Sequence, residues 1–235
     1  LKGKNVILLA PRSKDIRTTL QDAKPYIEDN ALVVIGSKGL DEYGGKYYTP
    51  SQVIEQIIPG SRDRIAVMSG PNFAMQIALG KITGTTVAAH ERETALEVRE
   101  LFNHREEKDF LVYIYKGNPV DVEVVGAFKN VVGLVMGFAR SLDNYDENTG
   151  ALILHRGLKE AELLCKAMKC DPKAVMETCG VGDYGLLMNS TSSRNVQAGY
   201  NFGKGIWSID DLTNPEQTIE GVRTVKAVKE LAGKY

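Results

Sequence analysis

Unbroken apolar runs alternate with amphipathic stretches over the first half of this chain. Asn5 to Ala10 (NVILLA), Ala31 to Gly36 (ALVVIG) and Arg64 to Gly70 (RIAVMSG) have the pattern of strands buried on both faces. Between them, DIRTTLQDAKPYIED and TPSQVIEQII carry helical periodicity, the second with Thr49 as cap and Pro50 in the first turn. TGTTVAAH and DFLVYIY bracket a further helix, ERETALEVRELFN, so the alternation predicts βαβ units and a parallel sheet of about five strands. Past KGNPV (Lys116 to Val120) the strand pattern stops. Apolar residues recur at helical spacing from about Asp121 to Leu142 and from about Asn148 to Met168, and Gly133 and Gly137 predict a close helix crossing. The chain thus divides into an α/β part, 1–118, and an all-helical part, 119–235.

Composition narrows the class. Lys and Arg number 29 against 30 Asp and Glu, without the basic excess of a nucleic-acid binder. Cys165, Cys170 and Cys179 are odd in number and lack metal spacing, and His90, His104 and His155 are dispersed; the expectation is reduced thiols in a cytosolic protein and no metal. The most apolar run, VVGLVMGF, is too short to span a bilayer and follows Lys129 and Asn130, so no membrane span is expected. The opening LKGKNVILLAP has no methionine, signal peptide or cap, and reads as a chain cut into upstream.

Gly180, Gly182 and Gly185 spell GxGxxG, yet no strand feeds them. CDPKAVMET before them reads as a short helix capped by Asp171 and stopped at Gly180, and a polar loop, NSTSSRN, follows. Lys129 sits among apolar neighbours, either at the edge of a stripe with its ammonium in water or held in a cleft where it could exchange a proton with a hydroxyl; Asn130 beside it adds a second polar interruption. Lys38 follows a strand at its carboxyl end, where open α/β sheets bind ligands, and is otherwise a solvated loop lysine. SGPNFA (Ser69 to Ala74) sits at another strand end, where amides at a helix start could hold an anion or a nicotinamide amide. Arg194 and Asn195, in the Ser-rich loop, suit a phosphate dianion; Asp183 could bind a substrate hydroxyl or cap a helix.

The pieces SKG, SGPNFA, VEVVGAFKNVVGLVMGF, ENTGALILHRGLKEA, GVGD with SRN after it, and EGVRT run in an order that resembles the NAD-dependent glycerol-3-phosphate dehydrogenases. The resemblance covers about Asn5 to Ala232. It implies a partial Rossmann domain with a parallel sheet, then an all-helical domain like that of 6-phosphogluconate dehydrogenase, and hydride transfer between sn-glycerol 3-phosphate and NAD, or NADP, giving dihydroxyacetone phosphate. By the same resemblance Lys129 is the catalytic lysine, with Asn130, Asp183 and Lys38 around it. Gly70, Asn72, Ser193, Arg194 and Asn195 fall on substrate positions, and Lys38, Ala74, Arg194, Thr218 and Glu220 on cofactor positions. A cytoplasmic homodimer is implied too. Leu187 stands where the family usually has threonine, Gln76 where it has glutamate and Gly150 where it has lysine. The glycine-rich turn and acidic ribose partner are expected upstream of Leu1, and the family's last helices beyond Tyr235. The competing reading is a non-catalytic phosphometabolite-binding or oligomerisation module without its cofactor half; a third is a relative acting on another small hydroxy acid or phosphorylated alcohol.

Overall fold

Val33, Ile35, Ile65 and Val67 are fully or almost fully shielded from water, and they mark the middle of the sheet on which the rest is built. The computed structural model describes residues 1–103, 109–214, 216–217 and 219–233. In chain order it contains β1 (Val6–Leu9), α1 (Ile16–Ala23), β2 (Leu32–Ile35), β3 (Asp41–Tyr43), β4 (Lys46–Tyr48), α2 (Pro50–Ile57), β5 (Ile65–Ser69), α3 (Ala74–Ala78), β6 (Thr83–Ala89), α4 (Arg92–Asn103) and β7 (Phe110–Ile114). Helices follow: α5 (Pro119–Arg140), α6 (Glu147–Ala167), α7 (Asp183–Gly185), α8 (Arg194–Gly203), α9 (Ile209–Thr213) and α10 (Glu220–Ala232).

The five-stranded sheet has the order β1-β2-β5-β6-β7. The expected parallel pairing holds for β1, β2 and β5, and again for β6 with β7, but β6 runs antiparallel to β5, with Ser69 opposite Thr86. The sheet is therefore mixed. The connection between β5 and β6 contains only the five-residue α3, too little chain to carry a crossover back to the far end of the sheet, so the strand returns beside its predecessor. A second departure is the hairpin β3–β4, turned by Gly44 and Gly45 at φ +60° and +71°, the conformation that two-residue hairpin loops demand.

One face of the sheet packs on α1, α2 and α5 through Leu9, Val33, Ile35 and Val67. The other packs Leu32, Val34, Ala66 and Val87 on Ala95 and Val98 of α4. Each of the buried valine, leucine and isoleucine side chains contributes about 1.5–3 kcal/mol by leaving water.

Helix α5 is the axis on which sheet and helices meet. Asn118 caps it, accepting from Val120 N at 3.0 Å, while Asp121 accepts from Asn118 N at 2.9 Å, a reciprocal capping box with Pro119 in the first turn. It is the one helix, among the described residues, long and apolar enough to cross a membrane, with mean hydropathy 1.6; 72% of that window is buried inside the protein, as in a core helix. The VVGLVMGF run, too short by itself to span a bilayer, is part of this longer helix. The predicted glycine crossing is present: a Cβ on Gly137 would fall into the Val196 carbonyl of α8, and one on Gly199 into the Leu134 carbonyl of α5.

Candidate active site

At the carboxyl ends of β2 and β5, Lys38 and Gly70 face the middle of α5, and a buried carboxylate lies between them and Lys129. Lys38 Nζ donates to Gly70 O at 3.4 Å and pairs with Asp183 Oδ2. Lys129 Nζ lies 3.2 Å from Asp183 Oδ1, and the Asp183 side chain is 2% exposed. One carboxylate thus joins two ammonium groups supplied by different halves of the chain. With both amines protonated the arrangement carries a net positive charge, which favours an anionic ligand.

Lys129 is buried, so the reading of a snorkelling lysine is set aside in favour of the cleft. Burial holds its pKa below the ordinary lysine value; Asp183 works in the opposite direction, and the neighbouring Lys38 adds to the lowering. Its Nζ stands 5.9 Å from the centroid of the Phe73 ring. A lysine with a loosened proton in such a place can pass that proton to an oxyanion or take one from a hydroxyl.

The Asp183 turn is fastened from both sides. The glycine-rich stretch before it enters from a 3-10 helix, Pro172–Met176, capped by Asp171 as expected. That helix stops at Glu177 rather than at Gly180, and Thr178–Gly182 forms a wide π turn in which Gly180 packs against the Val175 carbonyl, too close for a Cβ. Thr178 Oγ1 lies 2.7 Å from Thr86 Oγ1 on β6, and Cys179 N donates to Thr86 Oγ1 at 3.2 Å. On the other side, the fully buried Tyr184 hydroxyl donates to Val125 O of α5 at 2.9 Å. Neither Thr86 nor Tyr184 stood out in the sequence, because their partners are remote.

Ser193, Arg194 and Asn195 are not in a loop. Ser193 is the N-cap of α8, its Oγ accepting from Val196 N at 3.5 Å, and Arg194 and Asn195 form the first helical turn. The feature that hides the helix in the sequence is the run of serines, which equally suits a loop or a cap. Asn195 Nδ2 donates to Asn130 Oδ1 at 2.9 Å, and Asn195 Oδ1 accepts from Gly221 N of α10 at 2.9 Å. Arg194 is exposed at a helix N-terminus, where guanidinium and backbone N–H groups both favour an anion.

The other positions are held by contacts of their own. Asn72 Nδ2 donates to Gly84 O at 3.0 Å and Thr83 Oγ1 at 3.2 Å, fixing the turn between β5 and α3, while Ala74 is exposed at the start of α3. Glu220 accepts from Ser13 N at 3.2 Å and Ser13 Oγ at 2.5 Å, tying α10 to the loop after β1. Thr218 lies outside the described residues, as does His104. His90 pairs with Glu55 at 3.2 Å. The three cysteines are free thiols, and the described residues contain no group of three or more His, Cys, Asp or Glu able to hold a metal. Leu187 is fully buried, Gln76 is exposed, and Gly150 packs against Tyr145 Oη, so none of the three departures adds a polar group to the centre.

A cavity of about 500 Å³ opens beside Lys38, walled by Leu8, Gly36, Met68, Gly70, Asn72 and Phe102. Its apolar walls, with Asn72 and the charge of Lys38 at hand, suit a flat heteroaromatic ring.

A mixed α/β sheet packed on helices, with a buried carboxylate between two lysines where they meet, defines the class of fold. Comparison narrows it. Residues 118–235 match the NAD-dependent glycerol-3-phosphate dehydrogenase C-terminus, and residues 1–95 match the N-terminus of the same family. The chain is 35% identical over 235 residues to a glycerol-3-phosphate dehydrogenase [NAD(P)+] of Syntrophomonas wolfei, covering 99% of this chain and 66% of the relative. It is 33% identical over 233 residues to that of Fusobacterium nucleatum, covering 99% and 68%. Among solved structures, glycerol-3-phosphate dehydrogenase from Coxiella burnetii shares the fold with a TM-score of 0.81 at 24% identity, over 98% of this chain and 68% of the other. The chain belongs to the NAD-dependent glycerol-3-phosphate dehydrogenase family, and spans about two thirds of the length of the curated relatives it matches.

Proposed function

We propose that this chain is the greater part of an enzyme that interconverts sn-glycerol 3-phosphate and dihydroxyacetone phosphate with NAD or NADP. The observation that carries the reading is the buried Asp183 carboxylate between Lys38 and Lys129. A module that only binds phosphometabolites has no need to hold a lysine at lowered pKa away from water, at a cost in stability; a proton-exchanging enzyme does.

When bound, the nicotinamide supplies the hydride acceptor. The cavity beside Lys38, Ala74 on α3 and Glu220 at the head of α10 are the groups of this chain that would hold the cofactor. In the oxidative direction the deprotonated Lys129 amine takes the proton of the substrate C2 hydroxyl as that carbon becomes a carbonyl; in reduction the ammonium returns it. Asp183 orients that amine and, with Lys38, keeps the charge of the site near the substrate oxygen. Ser193, Arg194 and Asn195 hold the phosphate, Gly70 and Asn72 shape the wall opposite, and Asn130 braces Asn195. Residues 1–118 serve the cofactor and 119–235 the substrate. The working enzyme is a cytoplasmic homodimer on this reading.

NAD(P)-linked turnover of glycerol 3-phosphate, which a module that only binds does not show, tests the enzyme, and calorimetric titration tests its phosphate site. Glycerol 3-phosphate binds the chain, glycerol binds far more weakly, and Arg194→Met abolishes the difference. Equal binding of glycerol and glycerol 3-phosphate to the unaltered chain overturns the proposal.

A further inference from the structure

Between Asp183 and the cap of α8 the chain has little regular structure of its own: α7 is three residues long, and Leu186–Met188 makes one 3-10 turn. Three carbonyls of this segment are nevertheless satisfied by one side chain. Arg140, in the last turn of α5, donates from Nη2 to Leu187 O at 2.6 Å and to Met188 O at 2.5 Å, and from Nη1 to Ser190 O at 2.8 Å. Ser190 Oγ in turn accepts from Ser193 N at 3.0 Å, so the contact passes directly to the residue that caps α8.

We infer that Arg140 is a positioning residue for the anion-binding turn Ser193–Asn195; the inference rests on the reading of that turn given above. The physical reason lies in the fork of the guanidinium. Its donors are planar and fixed in direction, so three carbonyls that it binds are held in one arrangement, where an ammonium would act as a mobile point charge. Leu187 and Ser190 are buried, and without Arg140 their carbonyls lose this shared partner. The same rigid helix carries Lys129, Asn130 and Arg140. It therefore fixes the proton-exchanging end of the site through Asp183, braces Asn195 through Asn130, and sets the path of the intervening segment through Arg140. Eleven residues of α-helix place Arg140 about 16 Å along the axis from Lys129, beyond any direct role at the reacting carbon.

The experiment compares the unaltered chain with Arg140→Lys and Arg140→Ala, reading amide hydrogen exchange at Ser193, Asn195 and Val196, the Lys129 titration by NMR, and calorimetric affinity for glycerol 3-phosphate and inorganic phosphate. In Arg140→Ala, exchange at the three amides rises about tenfold or more and affinity for both anions falls by about the same factor, the scale of one lost hydrogen bond. Lys129 titrates as before. Millimolar guanidinium ion reverses both losses, and Arg140→Lys lies between the two. Unchanged exchange in Arg140→Ala, or a loss spread over α5 that guanidinium does not reverse, overturns the inference. Failure of the unaltered chain to bind either anion instead overturns the reading of the turn, while the exchange data still decide whether Arg140 positions it.

Discussion

The Lys129 ammonium lies 3.2 Å from Asp183 Oδ1, with the lysine side chain 10% and the aspartate side chain 2% exposed. Burial lowers the lysine pKa, and Asp183 is the group that resists the lowering. Asp183→Asn leaves the two ammonium groups without a counter-charge. We expect the Lys129 titration, followed by NMR, to move to still lower pH, and stability to drop by roughly 3–5 kcal/mol, the cost of orphaning a buried charge. A titration that stays in place would separate the two residues.

Arg194→Lys keeps the charge of the anion site and loses the fork. In the enzyme kcat/KM for glycerol 3-phosphate should fall by about 2–3 kcal/mol, the range for a charge-assisted hydrogen bond left unmatched, and far less for an unphosphorylated substrate. The comparison is made at saturating cofactor. Equal losses on the two substrates would reassign Arg194 to the cofactor or to structure.

Glu123, on α5, is buried and accepts from Ser51 N at 2.8 Å and Ser51 Oγ at 2.5 Å at the start of α2. Burial pushes its pKa up to about 7, against the lowering effect of those hydrogen bonds. Between the ordinary carboxylate range and pH 7 the folded state then binds the proton that the unfolded state has released. Stability therefore falls as pH rises through that window, by a total on the order of 3 kcal/mol. Denaturant melts from pH 4.5 to 8 should show this slope, and Glu123→Gln should flatten it. A variant with the parental slope would place the pH dependence elsewhere.

The crossing of α5 and α8 brings Asn130 to Asn195, and it depends on absent side chains. Gly137→Ala and Gly199→Ala each force a methyl into a backbone carbonyl, so each should cost roughly 1–3 kcal/mol in thermal or chemical melts. Substrate affinity should fall with them because the helices separate at the site. Parental stability in both variants would mean that the helices cross less closely.

The centre was legible in the sequence where chemistry interrupts an apolar pattern. Lys129 and Asn130 break a helix that is otherwise core, Lys38 stands at a strand end, and Gly133 and Gly137 announced the crossing that brings Asn195 to Asn130. What stayed hidden depends on distant partners or on direction. An apolar strand such as β6 has the same pattern whichever way it runs, so its antiparallel pairing had to come from the short α3 connection. The β3–β4 hairpin has its signal in the pair Gly44 and Gly45, which an apolar pattern of strands and helices does not register. Arg140, Thr86 and Tyr184 could not be found, because a guanidinium bound to carbonyls or a hydroxyl bound to a remote helix leaves no periodic trace.

The most direct measurement replaces Lys129 by methionine, which keeps the packing of the stem and removes the amine. NAD(P)-linked oxidation of glycerol 3-phosphate is followed by nicotinamide absorbance in both proteins, with cofactor affinity measured separately. We expect turnover to fall by about 100-fold or more while cofactor affinity is retained, the scale of losing a general acid–base group. Turnover within a few-fold of the parent would contradict the assignment of proton exchange to Lys129.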